Sequence, residues 1–396
     1  MKPLDYVAAR RKNSENCQFS IYENDKGASE VFITIEAPRR LSFADSLENL
    51  TVELERVYEE CGLTERSLVF SRFYLRNIDE QQDELLQSNL YRRLRGGVVS
   101  IVQQPPLGEG DLGLFLYHIK GNDFKKEVLE WGDDHWKSGI KISGANYQLL
   151  YASNLTAKGE NSYEQTDALF ASYRGLLAEH GMTFVENVVR TWIYIKDIYQ
   201  HYAGVVDARN RIFDELGLNR DTHYIASTGI EGRLKEASVF VQMDTLAIGG
   251  IKGEQIVYME APDYLSSTDD YGVAFERGAK LMFGDRNRFY ISGTASIDKR
   301  GNIVHPEDVL LQTRRALENI RALLRPHQAD LSHMAHLIVY LKDFDQANAV
   351  NQIIREAVGG DIPINTVQGS ICRPGWLVEI EGVAIVDAMN AYPDYL

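Results

Sequence analysis

Met334-Ala-His-Leu-Ile-Val-Tyr-Leu-Lys-Asp-Phe344 is one of three similar stretches in this chain, each of which follows a helix-like pattern and reads as a buried strand. The other two are Leu68-Val-Phe-Ser-Arg-Phe-Tyr-Leu-Arg-Asn-Ile78 and Val188-Val-Arg-Thr-Trp-Ile-Tyr-Ile-Lys-Asp-Ile198. A tyrosine occupies the same place in each stretch, at spacings of 120 and 146 residues: Tyr74, Tyr194 and Tyr340. Repeats of that length are domains rather than solenoid repeats. We therefore expect three copies of one small α+β unit.

Around each shared strand the sequence predicts the same order of elements, β-α-β-α-β-β. Apolar residues recur at helical spacing before the shared strand, and Gly62 and Gly181 mark the ends of the first helices in copies one and two. We expect the copies over residues 17–122, 145–250 and 285–389, with linkers near 121–143 and 250–284.

A sheet that carries helices on one face leaves its other face bare. Three such units can bury their bare faces together around a pseudo-threefold axis. The predicted fold is therefore an intramolecular trimer of three fused α+β units.

The size and composition are those of a globular protein that is not built into a membrane. The chain has 396 residues, of which 44% are hydrophobic, and no apolar run of about 18 residues that could span a bilayer. Its first residues lack the apolar core of a signal peptide. The three cysteines (Cys17, Cys61 and Cys372) are far apart and form no Cys-x-x-Cys pair. This pattern favours a reducing cytoplasm over a disulfide scaffold or a zinc ribbon.

The charge balance argues against nucleic acid as a partner. The net charge is −15, and a duplex-binding protein would need a large basic face on top of that deficit. The nine histidines form no His-x-x-x-His or His-Glu-x-x-His arrangement, so we expect no catalytic metal.

Two acidic residues distinguish the closing strand of copy three. When the three closing strands are aligned on their ends, Glu379 matches Gln242 and Leu114, and Glu381 matches Asp244 and Leu116. Residues two apart on a strand share a face, so both carboxylates point the same way among apolar neighbours. Such a pair should raise one pKa, and a carboxyl that stays protonated near neutral pH suits a general acid. The alternative is a solvent-facing strand with two ordinary acids.

Other candidate site residues lie close to this strand or in glycine-containing turns. Arg373 could bind a carboxylate through two hydrogen bonds, although a surface arginine paired with a nearby acid is the simpler reading. Cys372 is a candidate nucleophile or a pocket wall, and no adjacent histidine supports a thiolate. Gly293 allows close approach of a ligand, or else marks a bulge. The turn that contains Gly229 lacks the ending of a phosphate loop.

Several motifs of copy three occur together in one known family: Ile291-Ser-Gly-Thr-Ala295, Gln312-Thr-Arg-Arg-Ala-Leu-Glu-Asn-Ile320, Val339-Tyr-Leu-Lys-Asp343, Cys372-Arg-Pro374 and Leu377-Val-Glu-Ile-Glu-Gly-Val-Ala384. Through these motifs copy three resembles the RidA/YjgF family, whose members are also called L-PSP-like endoribonucleases. The resemblance implies a RidA-like, chorismate-mutase-like unit. Copies one and two match it mainly in the order of their elements.

A narrower resemblance covers roughly residues 185–390. The matching segments are Arg190-Thr-Trp-Ile-Tyr194, Ser227-Thr-Gly-Ile230, Tyr271-Gly272, Phe289-Tyr-Ile-Ser-Gly-Thr-Ala-Ser-Ile297 and His305-Pro-Glu-Asp-Val309. They are similar to those of the chorismatases, which release pyruvate from the enol ether of chorismate and leave a hydroxylated ring acid. In that family a glutamate on the last long strand is the general acid, and a cysteine seven residues earlier marks members that form 3-hydroxybenzoate. Glu379 and Cys372 have that spacing.

The resemblance also implies how a substrate with two carboxylates would bind. Arg373 is the first candidate anchor, and the second is left open among four arginines: Arg190, Arg209, Arg233 and Arg277. Tyr194 and Tyr271 are candidates to bind hydroxyl groups.

The function implied is chorismatase-like cleavage of chorismate, or of a related enol-ether acid, in one site per chain. The alternatives are a RidA-like imine or enamine deaminase, a metabolite-binding protein without catalysis, and a nuclease, which the net acidity disfavours. We expect a small carboxylate substrate, no cofactor, and no nucleic-acid or membrane partner. The expected state is a monomeric pseudo-trimer or a weak homo-oligomer.

Overall fold

The computed structural model describes residues 10–13, 16–107, 110–121, 123–129, 138–268 and 272–396. Three six-stranded mixed sheets, each with helices on one face, account for most of these residues. We call them unit 1 (residues 10–120), unit 2 (residues 125–249) and unit 3 (residues 256–387).

Unit 1 shows why the helical pattern before the shared strand was readable. Its first helix begins after Ser42, whose hydroxyl accepts a hydrogen bond from the Asp45 amide, and ends at Gly62 with a left-handed φ of 61°. The elements of the unit are β1 (Arg10–Asn13), β2 (Cys17–Glu23), β3 (Ser29–Glu36), α1 (Phe43–Cys61), β4 (Leu68–Leu75), α2 (Ile78–Gln87), α3 (Asn89–Leu94), β5 (Val98–Gln103) and β6 (Leu112–Lys120).

Unit 2 repeats this arrangement with one long second helix in place of two short ones. Its elements are β7 (Lys125–Leu129), β8 (Ser138–Ser143), β9 (Gln148–Leu155), α4 (Ser162–Glu179), α5 (Phe184–Asn187), β10 (Val188–Ile195), α6 (Ile198–Glu215), β11 (Ala226–Glu231) and β12 (Val241–Gly249).

Unit 3 has the same plan. Its elements are β13 (Ile256–Tyr258), β14 (Gly278–Met282), β15 (Arg286–Ala295), α7 (Val309–Leu324), β16 (Met334–Leu341), α8 (Ala347–Val358), β17 (Ile364–Gln368) and β18 (Val378–Asp387). Single 3-10 turns cover Gly253–Gln255, Arg325–His327 and Leu331–His333.

The strand order is the same in all three sheets: β1-β2-β3-β6-β4-β5, β7-β8-β9-β12-β10-β11 and β13-β14-β15-β18-β16-β17. Within each sheet the last-numbered strand is central and runs antiparallel to both neighbours, and only the pair at one edge is parallel.

The expected α+β class with three fused units is confirmed. Each unit has two strands more than predicted. The prediction that the segments near 121–143 and 250–284 are only linkers was wrong, because these segments contain β7, β8, β13 and β14. These edge strands are short or largely polar, so their sequences carry little of the apolar signal that marks a central strand.

The bare faces of the three sheets meet in one buried core. The three matched tyrosines lie there, and each is fully buried: Tyr74, Tyr194 and Tyr340. The opposite faces of the sheets are covered by the units' own helices, as Leu50 and Leu54 of α1 show. The predicted pseudo-threefold burial is therefore how the chain removes its apolar sheet faces from water.

Buried ion pairs join the units in a cycle. Arg72 of unit 1 pairs with Asp244 of unit 2 at 2.9 Å, and Arg190 of unit 2 pairs with Glu381 of unit 3 at 2.5 Å. Arg288 of unit 3 pairs with Glu30 of unit 1 at 2.9 Å, which closes the cycle. Breaking a buried pair leaves an uncompensated charge, so these contacts fix how the units dock.

None of the described helices combines the length and the hydrophobicity that crossing a membrane requires. Within the same residues, no group of three potential metal ligands comes together.

Candidate active site

A cavity of about 280 Å³ lies where unit 2 meets unit 3. Unit 2 supplies α6 and β11, and unit 3 supplies β15, β18 and the segment before each of β14 and β18. The lining residues are Tyr202, Arg209, Ser227, Thr228, Gly229, Val273, Phe275, Arg277, Gly293, Ala295, Ile297, Cys372, Arg373, Trp376 and Glu379. Seven residues singled out from the sequence are thus brought together: Glu379, Cys372, Arg373, Gly293, Gly229, Arg209 and Arg277.

Glu379 is the acidic residue of this cavity. Its place on β18 is opposite Ala295 of β15 and Tyr340 of β16, and it is 6% exposed. Burial raises the pKa of its carboxyl to about 8, helped by the nearby Glu381 charge and opposed by Arg277 and Arg190. Among the described residues, no hydrogen bond to this carboxyl occurs. Glu379 is therefore largely protonated at neutral pH.

Gly293 makes room for that carboxyl. The register between β15 and β18 shifts between Ile291 and Thr294, which places Gly293 in a bulge. A Cβ atom on Gly293 would lie 2.1 Å from Glu379 Oε1 and 3.0 Å from Thr228 Cγ2. The glycine is required here by the close approach of the Glu379 carboxyl, and it lies in the bulge that was the alternative reading of the sequence.

The equivalent place between units 1 and 2 is filled by side chains. The bulge residue there is Asn154, and Gln242 stands where unit 3 has Glu379. The Asn154 side chain donates from Nδ2 to Val99 O at 2.8 Å, and its Oδ1 accepts from the Ile101 backbone amide at 2.9 Å and from Gln242 Nε2 at 3.0 Å. Neither residue presents an acid, so the interface of units 2 and 3 is the one where this position carries a carboxyl.

The register of unit 1 differs by one residue from the alignment of strand ends. Tyr74 lies opposite Gly113, and Arg72 lies opposite Phe115, just as Tyr340 and Ile338 lie opposite Glu379 and Glu381. The true counterparts are therefore Gly113 and Phe115 rather than Leu114 and Leu116. A slip of one residue moves a side chain to the other face of a sheet, and both leucines in fact pack under the helices of unit 1.

Three arginines give the cavity its positive charge. Arg209 of α6 and Arg277 are buried, and Arg277 Nη2 donates to Ser266 O at 3.1 Å. Arg373 Nη1 donates to Gly301 O at 3.0 Å, and its guanidinium lies over the Trp376 ring. These arginines line the cavity beside a carboxyl that is protonated at neutral pH, and such a lining suits an anionic ligand.

Cys372 forms part of the wall. Burial and the neighbouring Glu379 raise the pKa of its thiol to about 12. The residue is thus a neutral thiol at physiological pH, which is the opposite of what a nucleophilic cysteine needs.

Glu381 lies outside the cavity and is held by four donors. Its carboxylate accepts from Arg190 at 2.5 Å, Trp192 Nε1 at 2.9 Å, Tyr340 OH at 3.1 Å and the Thr228 hydroxyl. A carboxylate so fully bonded is held in place between the units.

The remaining sequence candidates lie outside the cavity or outside the described residues. Tyr194 is fully buried in the shared core. Arg233 is at the surface, where its Nη2 pairs with Asp79 Oδ2. Tyr271 lies outside the described residues.

Sequence reasoning missed Tyr202 and Thr228, and the apolar walls formed by Val273, Phe275 and Ile297. Thr228 adjoins Gly229 in a turn that the sequence marks, so its position was partly readable. Tyr202 is on α6, and no local sequence pattern marks it as a cavity residue, because it reaches the cavity only through the packing of unit 2 against unit 3.

The chain is similar to known proteins both within unit 3 and over a longer stretch. The model of the family described as endoribonuclease L-PSP matches residues 282–386, which lie within unit 3. Over a longer stretch, the chain is similar to the 3-hydroxybenzoate synthase of Streptomyces hygroscopicus, with 28% identity over 269 residues, which cover 63% of this chain and 77% of that protein. A chorismatase crystal structure has the same fold, with a TM-score of 0.62 and 20% identity over 81% of this chain and 93% of that one. The resemblance to the RidA/YjgF family and to the chorismatases is confirmed.

Proposed function

We propose that this protein cleaves chorismate, or a closely related enol-ether dicarboxylate, to pyruvate and a hydroxybenzoate-type acid, with Glu379 as the general acid. The observation that carries the proposal is a buried carboxyl, protonated at neutral pH, that faces a cavity with three arginines. The similarity to proteins named chorismatase and 3-hydroxybenzoate synthase supports the same substrate class.

The chemistry begins with one proton. The Glu379 carboxyl gives its proton to the methylene carbon of the enolpyruvyl group, which becomes a methyl group while the adjacent carbon becomes an oxocarbenium ion. Breaking the bond between the ether oxygen and the ring then releases pyruvate and leaves a cation on the ring. Loss of a ring proton, which returns to Glu379, makes the ring aromatic as a hydroxybenzoate. The acid is restored, and no redox partner is needed.

The cavity suits a substrate with two carboxylates. Arg209, Arg277 and Arg373 supply the positive groups, and Phe275, Ile297 and Trp376 supply apolar surface for a ring. In this proposal Arg373 holds one carboxylate, and Arg209 or Arg277 holds the other. Cys372 shapes the wall beside the ring as a neutral thiol, which agrees with the 3-hydroxybenzoate product named for the relative.

The test is incubation of the purified protein with chorismate, with pyruvate followed by a coupled assay and ring products separated by chromatography. The proposal predicts equal amounts of pyruvate and one hydroxybenzoate-type acid. A parallel incubation with a small amino-acid-derived imine tests the deaminase alternative. A folded sample that hydrolyses the imine and leaves chorismate intact would overturn the proposal.

A further inference from the structure

Thr228 uses its whole hydrogen-bonding capacity at the interface between units 2 and 3. The residue is 2% exposed. Its hydroxyl accepts from Arg190 Nη2 at 2.6 Å and from the Gly293 amide at 2.9 Å, and it donates to Glu381 Oε2. One donor and two acceptor positions are all that a hydroxyl has.

These bonds hold both strands that border the Glu379 carboxyl. Gly293 belongs to the bulge of β15 into which Glu379 fits, and Glu381 is two residues from Glu379 on the same face of β18. A single side chain of unit 2 therefore fixes two points of unit 3 on either side of the acid. The acid itself has no hydrogen bond to any described residue, so its place depends on these neighbours.

The matching hydroxyl between units 1 and 2 makes a different set of bonds. Ser100 is the counterpart of Thr228, and its hydroxyl donates to Asp244 Oδ2 at 2.6 Å and accepts from Arg72 Nε at 3.4 Å. The backbone amide of the bulge residue there, Asn154, donates to Asp244 Oδ1 at 3.0 Å rather than to the serine. The bond from the bulge amide to the hydroxyl therefore distinguishes the interface that carries the acid.

We propose that Thr228 is a positioning residue that holds the Glu379 carboxyl in line with the substrate by tying the Gly293 bulge and Glu381 to unit 2. The inference rests on the proposed function, in which Glu379 donates the proton. A displacement of about 1 Å in a reacting group can cost about 100-fold in rate, which is the scale expected when this tie is cut.

The experiment compares three variants of the full chain by steady-state kinetics with chorismate. Thr228→Val removes the hydroxyl at nearly constant volume, Thr228→Ser keeps it, and Ser100→Ala removes the counterpart hydroxyl at the interface between units 1 and 2. We expect kcat to fall about 100-fold in Thr228→Val with little change in KM, because the three arginines of the cavity are unchanged. Thr228→Ser should retain most of the wild-type kcat, and Ser100→Ala should match the wild type.

Wild-type kcat in Thr228→Val would overturn the positioning role and leave the proposed function standing. The positioning role is also overturned if Thr228→Ser is as slow as Thr228→Val, or if Ser100→Ala loses as much, since a general weakening of the interfaces would then explain the loss. If Thr228→Val does not fold, Thr228→Ala is judged by the same criteria. A wild type that releases no pyruvate would overturn the proposed function, and this inference with it.

Discussion

Gly293 and Glu379 compete for the same space: the carboxyl of Glu379 occupies the volume that a side chain on Gly293 would need, with 2.1 Å between Oε1 and the ideal Cβ position. In unit 2 the same bulge carries Asn154, and the acid is replaced by Gln242. The two positions change together between the interfaces, which ties the glycine to the presence of the acid.

Replacing this glycine should therefore displace the acid. We expect Gly293→Ala to lower kcat by about 100-fold or more, because the methyl group forces the carboxyl out of line. Steady-state kinetics with chorismate measure the effect, and Gly175→Ala in α4 is the control, since a Cβ there meets nothing within 4 Å. An active Gly293→Ala protein with unchanged kcat would show that the carboxyl does not need this place.

The pH dependence should report the raised pKa of Glu379. The protonated form is the active one, so kcat/KM should be level below pH 8 and fall as the pH rises through about 8, where the carboxyl loses its proton. Removing the Glu381 charge removes one cause of the raised pKa, so in Glu381→Gln the fall should move to lower pH. A rate that rises with pH through this region would indicate a general base instead.

The arginines of the cavity should act mainly on binding. Substituting Arg209 or Arg277 by Ala removes a charge-assisted hydrogen bond to a carboxylate, worth about 1.5–3 kcal/mol, so KM should rise roughly 10- to 100-fold. Arg325→Ala, at an exposed arginine outside the cavity, is the matched control. If neither cavity variant changes KM, the second carboxylate of the substrate binds elsewhere.

The cycle of buried ion pairs should dominate the docking of the units. Arg72→Ala leaves Asp244 buried and uncompensated, and we expect a loss of about 3–5 kcal/mol in the free energy of unfolding. Chemical denaturation measures it. Lys26→Ala, which breaks an exposed pair with Asp394, should leave the denaturation midpoint unchanged. Equal effects from the two variants would contradict the role assigned to burial.

Much of the fold was predictable because the signals are local. The shared strands, the helices before them and the glycine at the end of α1 all follow from spacing and from caps. The edge strands β7 and β13 were not, since short, partly exposed strands lack an apolar pattern. Aligning the strand ends matched Glu379 with Leu114, whereas the register of the sheet matches it with Gly113. Unit 1 has no acidic residue on this strand that could have corrected the alignment.

The site was predictable where its residues are close in sequence. Glu379, Cys372 and Arg373 lie on or just before β18, and all three line the cavity. Tyr202 and Thr228 belong to unit 2. Their place at the cavity, and the hydrogen bonds of Thr228 to unit 3, depend on how the two units dock, and no local sequence pattern encodes that docking. For the same reason Glu381 looked like a second catalytic acid, whereas its partners in unit 2 fix it as an ion pair.

The most direct test of the central claim is the rate of pyruvate release from chorismate by Glu379→Gln, beside the wild type and Glu318→Gln, a control at an exposed glutamate of α7. Glutamine keeps the shape of the side chain and cannot give up a proton of suitable acidity. We expect Glu379→Gln to lose about 100-fold or more in kcat while Glu318→Gln keeps the wild-type rate. A Glu379→Gln protein that releases pyruvate as fast as the wild type would contradict the account.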